Sequence, residues 1–207
     1  MKIGIIGAGH IGGTLALLWA KSGHDIVVSS RHPDELESLV KKTGSRCCYG
    51  TFEEAAEFGE TVLLSIPLVG IVAVSSKIKN FLAKKIVLDA MNPFAERDGE
   101  IALDIINRKI ASGQASQERF PSAKIVRAFS SIKYSDLQDF SNQTPAIAVP
   151  YSTDFSDAKQ TAEQLIYDAG FIPFDLGPLN HSKPIDPGGI LFGKALSEKQ
   201  IIELLMH

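Results

Sequence analysis

The stretch that most constrains how this chain can fold is Gly7-Ala8-Gly9-His10-Ile11-Gly12. A G-x-G-x-x-G hexapeptide alone is a weak signal, but this one directly follows the apolar run Ile3 to Ile6. It also opens a helical apolar pattern, Ile11 to Ser22, that ends at Gly23. A second β-branched run, Ile26 to Val28, closes the unit within about 27 residues, the span of a βαβ element that cradles a dinucleotide. Each glycine has its own task. Gly7 permits the tight turn, Gly9 removes a Cβ from the path of a pyrophosphate, and Gly12 lets the helix approach the strand. The anion is then expected at the helix N-terminus, where free N–H groups and the macrodipole favour negative charge. His10 and Ile11 complete the turn; His10 could lean over the ligand, or be a solvated loop histidine.

The end of the second strand decides which dinucleotide. An Asp or Glu there would accept hydrogen bonds from an adenosine 2′-hydroxyl and repel a 2′-phosphate. This chain reads Ser29-Ser30-Arg31, with Ser29 in the acid's place. Two hydroxyls and a fork-shaped cation suit a phosphate dianion. Two charge-assisted bonds of roughly 1.5 to 3 kcal/mol each would favour NADP(H) over NAD(H) by about a hundredfold or more, at about 1.4 kcal/mol per tenfold. Arg31 as an exposed turn charge is the plainer alternative.

Further β-branched runs at Val62 to Ser65, Ile86 to Asp89 and Ile125 to Phe129 alternate with helical patterns at Pro33 to Lys42 and Val69 to Leu82. The rhythm predicts an α/β, Rossmann-like, doubly wound and mostly parallel sheet. Residues 92–122 lose the pattern and read as a long connection with one helix inside it. A strand at Ala146 to Val149, a helix from Asp154 to Ala169, a strand at Phe171 to Phe174 and a last helix from Ser197 suggest a small C-terminal α/β extension. The expected division is a dinucleotide-binding domain, 1–145, and a small subdomain, 146–207.

Composition removes several function classes. The 21 basic and 24 acidic residues are interspersed, with a net charge of −3, so nothing points to nucleic acid. No apolar run reaches the roughly 18 to 20 residues of a membrane span. The strand-like stretch directly after Met1 leaves no room for a leader, and the cytoplasm is the expected location. The two cysteines, Cys47 and Cys48, are adjacent, which excludes a disulfide framework and suits a buried or edge strand. No metal site is expected.

Other candidates fall at carboxyl ends of strands, where ligands bind in such sheets. Ile66 and Pro67 could line the cofactor's ribose. Asn92, followed by Pro93, could hydrogen-bond the nicotinamide end or the second reactant, or merely form a turn.

Over nearly its whole length the sequence resembles the NADP:deazaflavin oxidoreductases. The resemblance rests on Gly7 to Gly12, Ser30-Arg31, Ile66-Pro67, Asn92-Pro93, Pro121 with AKIVRAF at 123–129, and AGFIPFDLGPL at 169–179. The last is the most particular, with Gly170, Phe171, Asp175, Gly177 and Leu179. It is also similar to the cytosolic domain of the six-transmembrane metalloreductases, which uses NADPH and a flavin. The resemblance implies a Rossmann-like enzyme whose small C-terminal part completes the cleft for the second reactant, with cofactor roles for Gly9, Ser30, Arg31 and Asn92. It departs from the family where Ser130-Ser131 replace the usual Asn after RAF, and where Ser182-Lys183 and Asp186-Pro187 replace Ala-Arg and Glu-Pro. These positions fall near the expected acceptor cleft, so the resemblance carries the cofactor further than the acceptor.

The expected chemistry is hydride transfer between NADPH and a small-molecule electron acceptor, a deazaflavin or flavin, stacked on the nicotinamide. The cofactor performs the chemistry while the protein aligns two rings and excludes water. No catalytic acid or base is assigned. Phe129, Ser130 and the loop GPLNHSKPIDPGG, 177–189, are expected to shape the acceptor side, with His181 read as a surface histidine. Two other readings remain: a small carbonyl or imine reductase, and a non-catalytic NADPH sensor or regulatory subunit. The apolar IIELLM at 201–206 suits a homodimer interface or ordinary core packing equally.

Overall fold

The computed structural model describes residues 1–206. Among them the chain forms strands β1 (Lys2–Ile6), β2 (Asp25–Ser29), β3 (Cys47–Gly50), β4 (Thr61–Leu64), β5 (Ile86–Asp89), β6 (Lys124–Arg127), β7 (Ala148–Thr153) and β8 (Ile172–Asp175). They make one sheet in the order β3-β2-β1-β4-β5-β6-β7-β8. The first six are parallel, as expected of βαβ units. β7 then runs antiparallel to β6 through the register pairs Val126 with Thr153 and Arg127 with Ser152. β8 is parallel to β7. The chain reverses its strand order between β1 and β4, the switch point at which such sheets open a ligand crevice.

Helices α1 (His10–Lys21), α2 (Glu37–Thr43), α3 (Phe52–Phe58), α4 (Ile71–Ile78), α5 (Ala95–Asp98), α6 (Glu100–Arg108), α7 (Ser112–Arg119), α8 (Tyr134–Asp139), α9 (Ser156–Asp168) and α10 (Glu198–Leu205) cover the sheet. Because successive strand side chains point to opposite faces, neighbours such as Ile5 and Ile6, or Leu88 and Val87, enter different cores. One core gathers Leu15, Trp19, Leu137, Leu165 and Ile166 beneath α1, α8 and α9. The other gathers Ala55, Val74, Ile78, Ala102 and Ile105 beneath α3, α4 and α6. The Trp19 indole N–H donates to the Leu165 carbonyl at 2.8 Å, tying α1 to α9. A third, small cluster of Ala148, Ile185, Leu191 and Ile201 holds α10, which leaves Ile202, Leu205 and Met206 exposed.

The expected doubly wound, mostly parallel sheet is therefore observed. The connection 92–122 differs from its reading as one helix, since it contains α5, α6 and α7. Their apolar signal is thin because α7 buries Ser112, Gly113 and Ser116 rather than large apolar side chains. The helical pattern from Pro33 begins as a 3-10 turn, Pro33–Leu36, before α2, and the pattern from Val69 does the same at Leu68–Gly70 before α4. The strand expected at Ala146 starts at Ala148 and runs on to Thr153. No described helix is long and apolar enough to cross a membrane.

Candidate functional site

The glycine turn links β1 to α1 at the carboxyl edge of the sheet. Its backbone is held from both sides: the amides of Gly7 and Ala8 donate to the Ser29 carbonyl at 3.0 and 3.1 Å, and the Ser65 hydroxyl donates to the Gly7 carbonyl at 2.5 Å. Gly7 adopts φ +99°, the left-handed region that L side chains rarely enter. A Cβ on Gly12 would lie 2.0 Å from the Gly7 carbonyl oxygen and 2.4 Å from Ser65 Oγ. Contacts within the protein thus account for both residues. Gly9 is different, since a Cβ there would meet nothing within 4 Å.

Gly9 is also the N-cap of α1, which has no side-chain cap and no acidic residue in its first turn. Compare α3, where Thr51 Oγ1 accepts from the Glu54 amide at 3.1 Å and Glu54 Oε2 accepts from the Thr51 amide at 2.7 Å. The first amides of a helix need acceptors from outside its own ladder. At α1 they face the open space beside Gly9, a cradle suited to a pyrophosphate.

The end of β2 divides the three residues expected to hold the 2′-phosphate. Ser29 does not present its hydroxyl to the crevice; it is fully buried and donates to the Ile5 carbonyl at 2.8 Å. The reason is strand alternation, which turns Ser29 into the sheet while its main-chain carbonyl receives the glycine-turn amides. Ser30 is half-buried, and its oxygen accepts from the His32 amide at 3.0 Å, leaving the hydroxyl proton available for donation. Arg31 is exposed at the same edge.

His10, the first residue of α1, is not an isolated loop histidine. Its ring stacks on Tyr134 of α8, with centroids 4.3 Å apart and planes at 18°. Ile11 is partly buried against the α1 core. Ile66 packs against the turn, since a Cβ on Gly7 would lie 2.5 Å from Ile66 Cγ2, and Pro67 is exposed beside it. The structure therefore brings Gly7 to Gly12, Ser30-Arg31 and Ile66-Pro67 together at the β2-β1-β4 edge.

Asn92 and Pro93 follow β5, one strand further along. The Asn92 amide is heavily engaged: Oδ1 accepts from Arg127 at 2.7 Å and Nδ2 donates to the Ser130 carbonyl at 2.8 Å. Its main-chain carbonyl accepts from Arg97 at 2.8 Å. Asn92 is thus a bridge between the β5 and β6 exits, with one amide proton left over. Pro93 is buried.

Sequence reasoning missed the group that holds Asn92. Arg127 is fully buried and is the register partner of Asp89. Its guanidinium lies 3.3 Å from Asp89 Oδ2 and 3.0 Å from Asp186 Oδ1, and also donates to the Met91 carbonyl. Burial pushes the Asp89 carboxyl up, against the pull of Arg127, the Ser116 hydroxyl and the Met91 amide. The signal was available: IVLD and KIVR each end an apolar strand on a charge, and buried charges require partners. Asp98 was also missed. It accepts from the amides of Val69 and Phe94 and from Arg97, stapling the β4 and β5 exits. Burial alone would raise its pKa, but Arg97 and the two amides outweigh it and hold the carboxyl below its ordinary value.

On the expected acceptor side, Phe129 is buried in the left-handed region at φ +59° and meets Trp19 edge-on at 5.8 Å. The Ser131 carbonyl accepts from Gly193, and buried Ser182 bonds Leu179. His181 is exposed, with Nδ1 3.1 Å from the Leu176 carbonyl.

Residues 2–93 match the family described as "NADP oxidoreductase coenzyme F420-dependent". The chain is 26% identical to the F420-dependent NADP reductase of Methanothermobacter marburgensis, over 90% of this chain and 88% of that protein. It is 25% identical to the metalloreductase STEAP3 of Rattus norvegicus over 89% of this chain, which corresponds to 36% of that longer protein. Among solved structures, a hypothetical protein of Sinorhizobium meliloti superposes with a TM-score of 0.81 at 27% identity, covering 96% of both chains. The resemblance read from the sequence is borne out.

Proposed function

We propose that this chain, an NADP-dependent oxidoreductase by its family match and relatives, transfers hydride between NADPH and a flat, flavin-like acceptor, a deazaflavin or a flavin. The observation that carries the reading is the uncapped start of α1 opening onto free space at Gly9, beside Ser30 and Arg31. In this reading the α1 amides bind the pyrophosphate, and the Ser30 hydroxyl and Arg31 guanidinium bind the 2′-phosphate. Ile66 and Pro67 border the ribose, and Asn92 donates its remaining amide proton toward the nicotinamide. Ser29 contributes its carbonyl to the shape of the turn and not its hydroxyl to the ligand. Bound NADPH supplies the reducing equivalent as hydride. The protein's part is alignment and water exclusion, with residues 146–207 completing the acceptor side.

The test is the oxidation rate of NADPH, and separately of NADH, by purified protein offered FMN, FAD, riboflavin, a deazaflavin and ferric chelates. NADPH-selective turnover with one of these acceptors is expected. Tight NADPH binding with no turnover on any of them would overturn the hydride-transfer reading and leave a sensor role.

A further inference from the structure

We infer that Arg127 is a positioning residue that couples the two walls of the reaction cleft, so that the cofactor-side loop after β5 and the C-terminal loop around Asp186 move as one unit. The inference rests on the proposed function for the identity of the two walls, but the coupling itself is carried by the geometry. One guanidinium nitrogen of Arg127 serves Asp89 and the Met91 carbonyl. The other serves Asn92 Oδ1 at 2.7 Å and Asp186 Oδ1 at 3.0 Å. Asp186 uses its second oxygen to accept the amide of Ser112, at the start of α7, at 2.8 Å. Asp89 bonds the Met91 amide at 2.9 Å and the Ser116 hydroxyl, also on α7, at 2.7 Å. A single planar fork therefore joins four pieces of chain: the β5 exit, the β6 exit through Asn92 and Ser130, α7, and the C-terminal loop. Lysine, a point charge on a flexible stem, cannot replace a fork whose two nitrogens hold different segments.

Two further observations separate this network from an ordinary buried ion pair. Among the described residues, the buried side-chain polar atoms without a partner are Ser112 Oγ, Arg127 Nε, Ser130 Oγ and Ser152 Oγ. Each lies on Arg127, on a neighbour of a group it holds, or, for Ser152, on its register partner in β7. They gather about one guanidinium, and a buried charged network of this kind is weak evidence of a stabilising device. The network also stands between two cavities. One, of about 450 Å3, reaches Asp89, Met91 and Ser116; the other, of about 360 Å3, reaches Lys183, Asp186 and Gly189. Pro93, Ile105 and Ser112 line both, and the glycine turn lines neither. Space on either side allows the loops to shift, and Arg127 makes them shift together.

The experiment uses the full chain and the variants Asp186→Asn, Asp186→Glu and Arg127→Lys. An asparagine at 186 has one oxygen where the aspartate uses two, so it must release either Arg127 or Ser112, whereas glutamate keeps both acceptors. Hydrogen–deuterium exchange is expected to rise about tenfold at the amides of Met91 and Asn92, on the opposite wall, in Asp186→Asn, and to return toward wild type in Asp186→Glu. A change confined to 112 and 182–189 would overturn the coupling and make Asp186 a local helix cap. With the acceptor that the wild type reduces, Asp186→Asn should lower kcat about tenfold to a hundredfold with the KM for NADPH little changed, and enlarge the isotope effect of deuterated NADPH. An unchanged kcat would overturn the positioning role. If Arg127→Lys does not fold, the two Asp186 variants decide alone. If the wild type reduces no acceptor, the hydride reading falls and the exchange result still decides the coupling.

Discussion

Along the carboxyl edge of one sheet, the β1–β2 side and the β5–β6 side treat their polar groups in opposite ways. At the first, the amides that open α1 have no side-chain cap, Gly9 borders open space, and the side chains expected to hold a ligand stand at the rim. At the second, Asp89, Asn92, Arg127 and Asp186 are turned inward and bonded mainly to one another. The difference teaches that, in the proposed function, one side receives an anion with backbone groups, which are rigid at no side-chain cost. The other is built to fix loop positions, and it does so with buried charge.

The strongest way to break this comparison is to remove the buried cation. Arg127→Met removes the cation from the buried Asp89 and the partly buried Asp186 and should cost about 3 to 5 kcal/mol of folding stability by urea unfolding at neutral pH. A loss below about 1 kcal/mol would show that the β5–β6 side is more solvated than its burial says. Next comes a pair of glycine variants. Gly12→Ala drives a Cβ into the Gly7 carbonyl and should cost about 1 to 3 kcal/mol. Gly9→Ala should leave the melting temperature unchanged and weaken NADPH binding roughly tenfold, about 1.4 kcal/mol. Equal stability losses in the two would erase the distinction between a protein-filled and a ligand-facing glycine.

The rim residues sharpen the comparison further. Arg31→Ala should weaken NADPH about tenfold or more, measured by fluorescence titration, with NADH little altered; equal loss for both would remove the 2′-phosphate from Arg31. An effect of similar size lies between the two sides, at Asp98. Its carboxyl is held below its ordinary value of 3.8, so its contribution is present above that pH and disappears as pH falls through the lower folded value. Asp98→Asn should cost about 1 to 2 kcal/mol at pH 7, and the gap should close on acidification. A gap that stays constant down to pH 3 would contradict the direction of that shift.

The same contrast explains what the sequence made legible. The glycine turn could be read because its requirements are local: a sharp turn, a close helix approach and a strand on each side, all within a few residues. The parallel sheet could be read because β-branched runs recur at βαβ spacing. α7 could not, since its buried face is made of serine and glycine, and a helix without an apolar stripe has no periodic signature. α8 was hidden for lack of length. Ser29 was placed in the pocket because the motif names a position and not a direction, and only the strand's alternation shows that its hydroxyl faces Ile5. The Asp89–Arg127–Asp186 group was the least accessible, since it joins residues 38 and 59 positions apart, the first pair through strand register and the second through a loop.

Trp19 is the chain's single tryptophan. It is fully buried in the last turn of α1, the helix that the glycine turn opens, and meets Phe129 at the β6 exit edge-on. The protein therefore carries an optical reporter where α1 packs against the β6 exit and α9. Its emission should be blue-shifted by the dry surroundings, and it overlaps the absorption of reduced nicotinamide, so energy transfer can register the bound cofactor without a label. Any disturbance that separates α1 from the β6 exit will register in the same signal, as a red shift independent of whether anything is reduced.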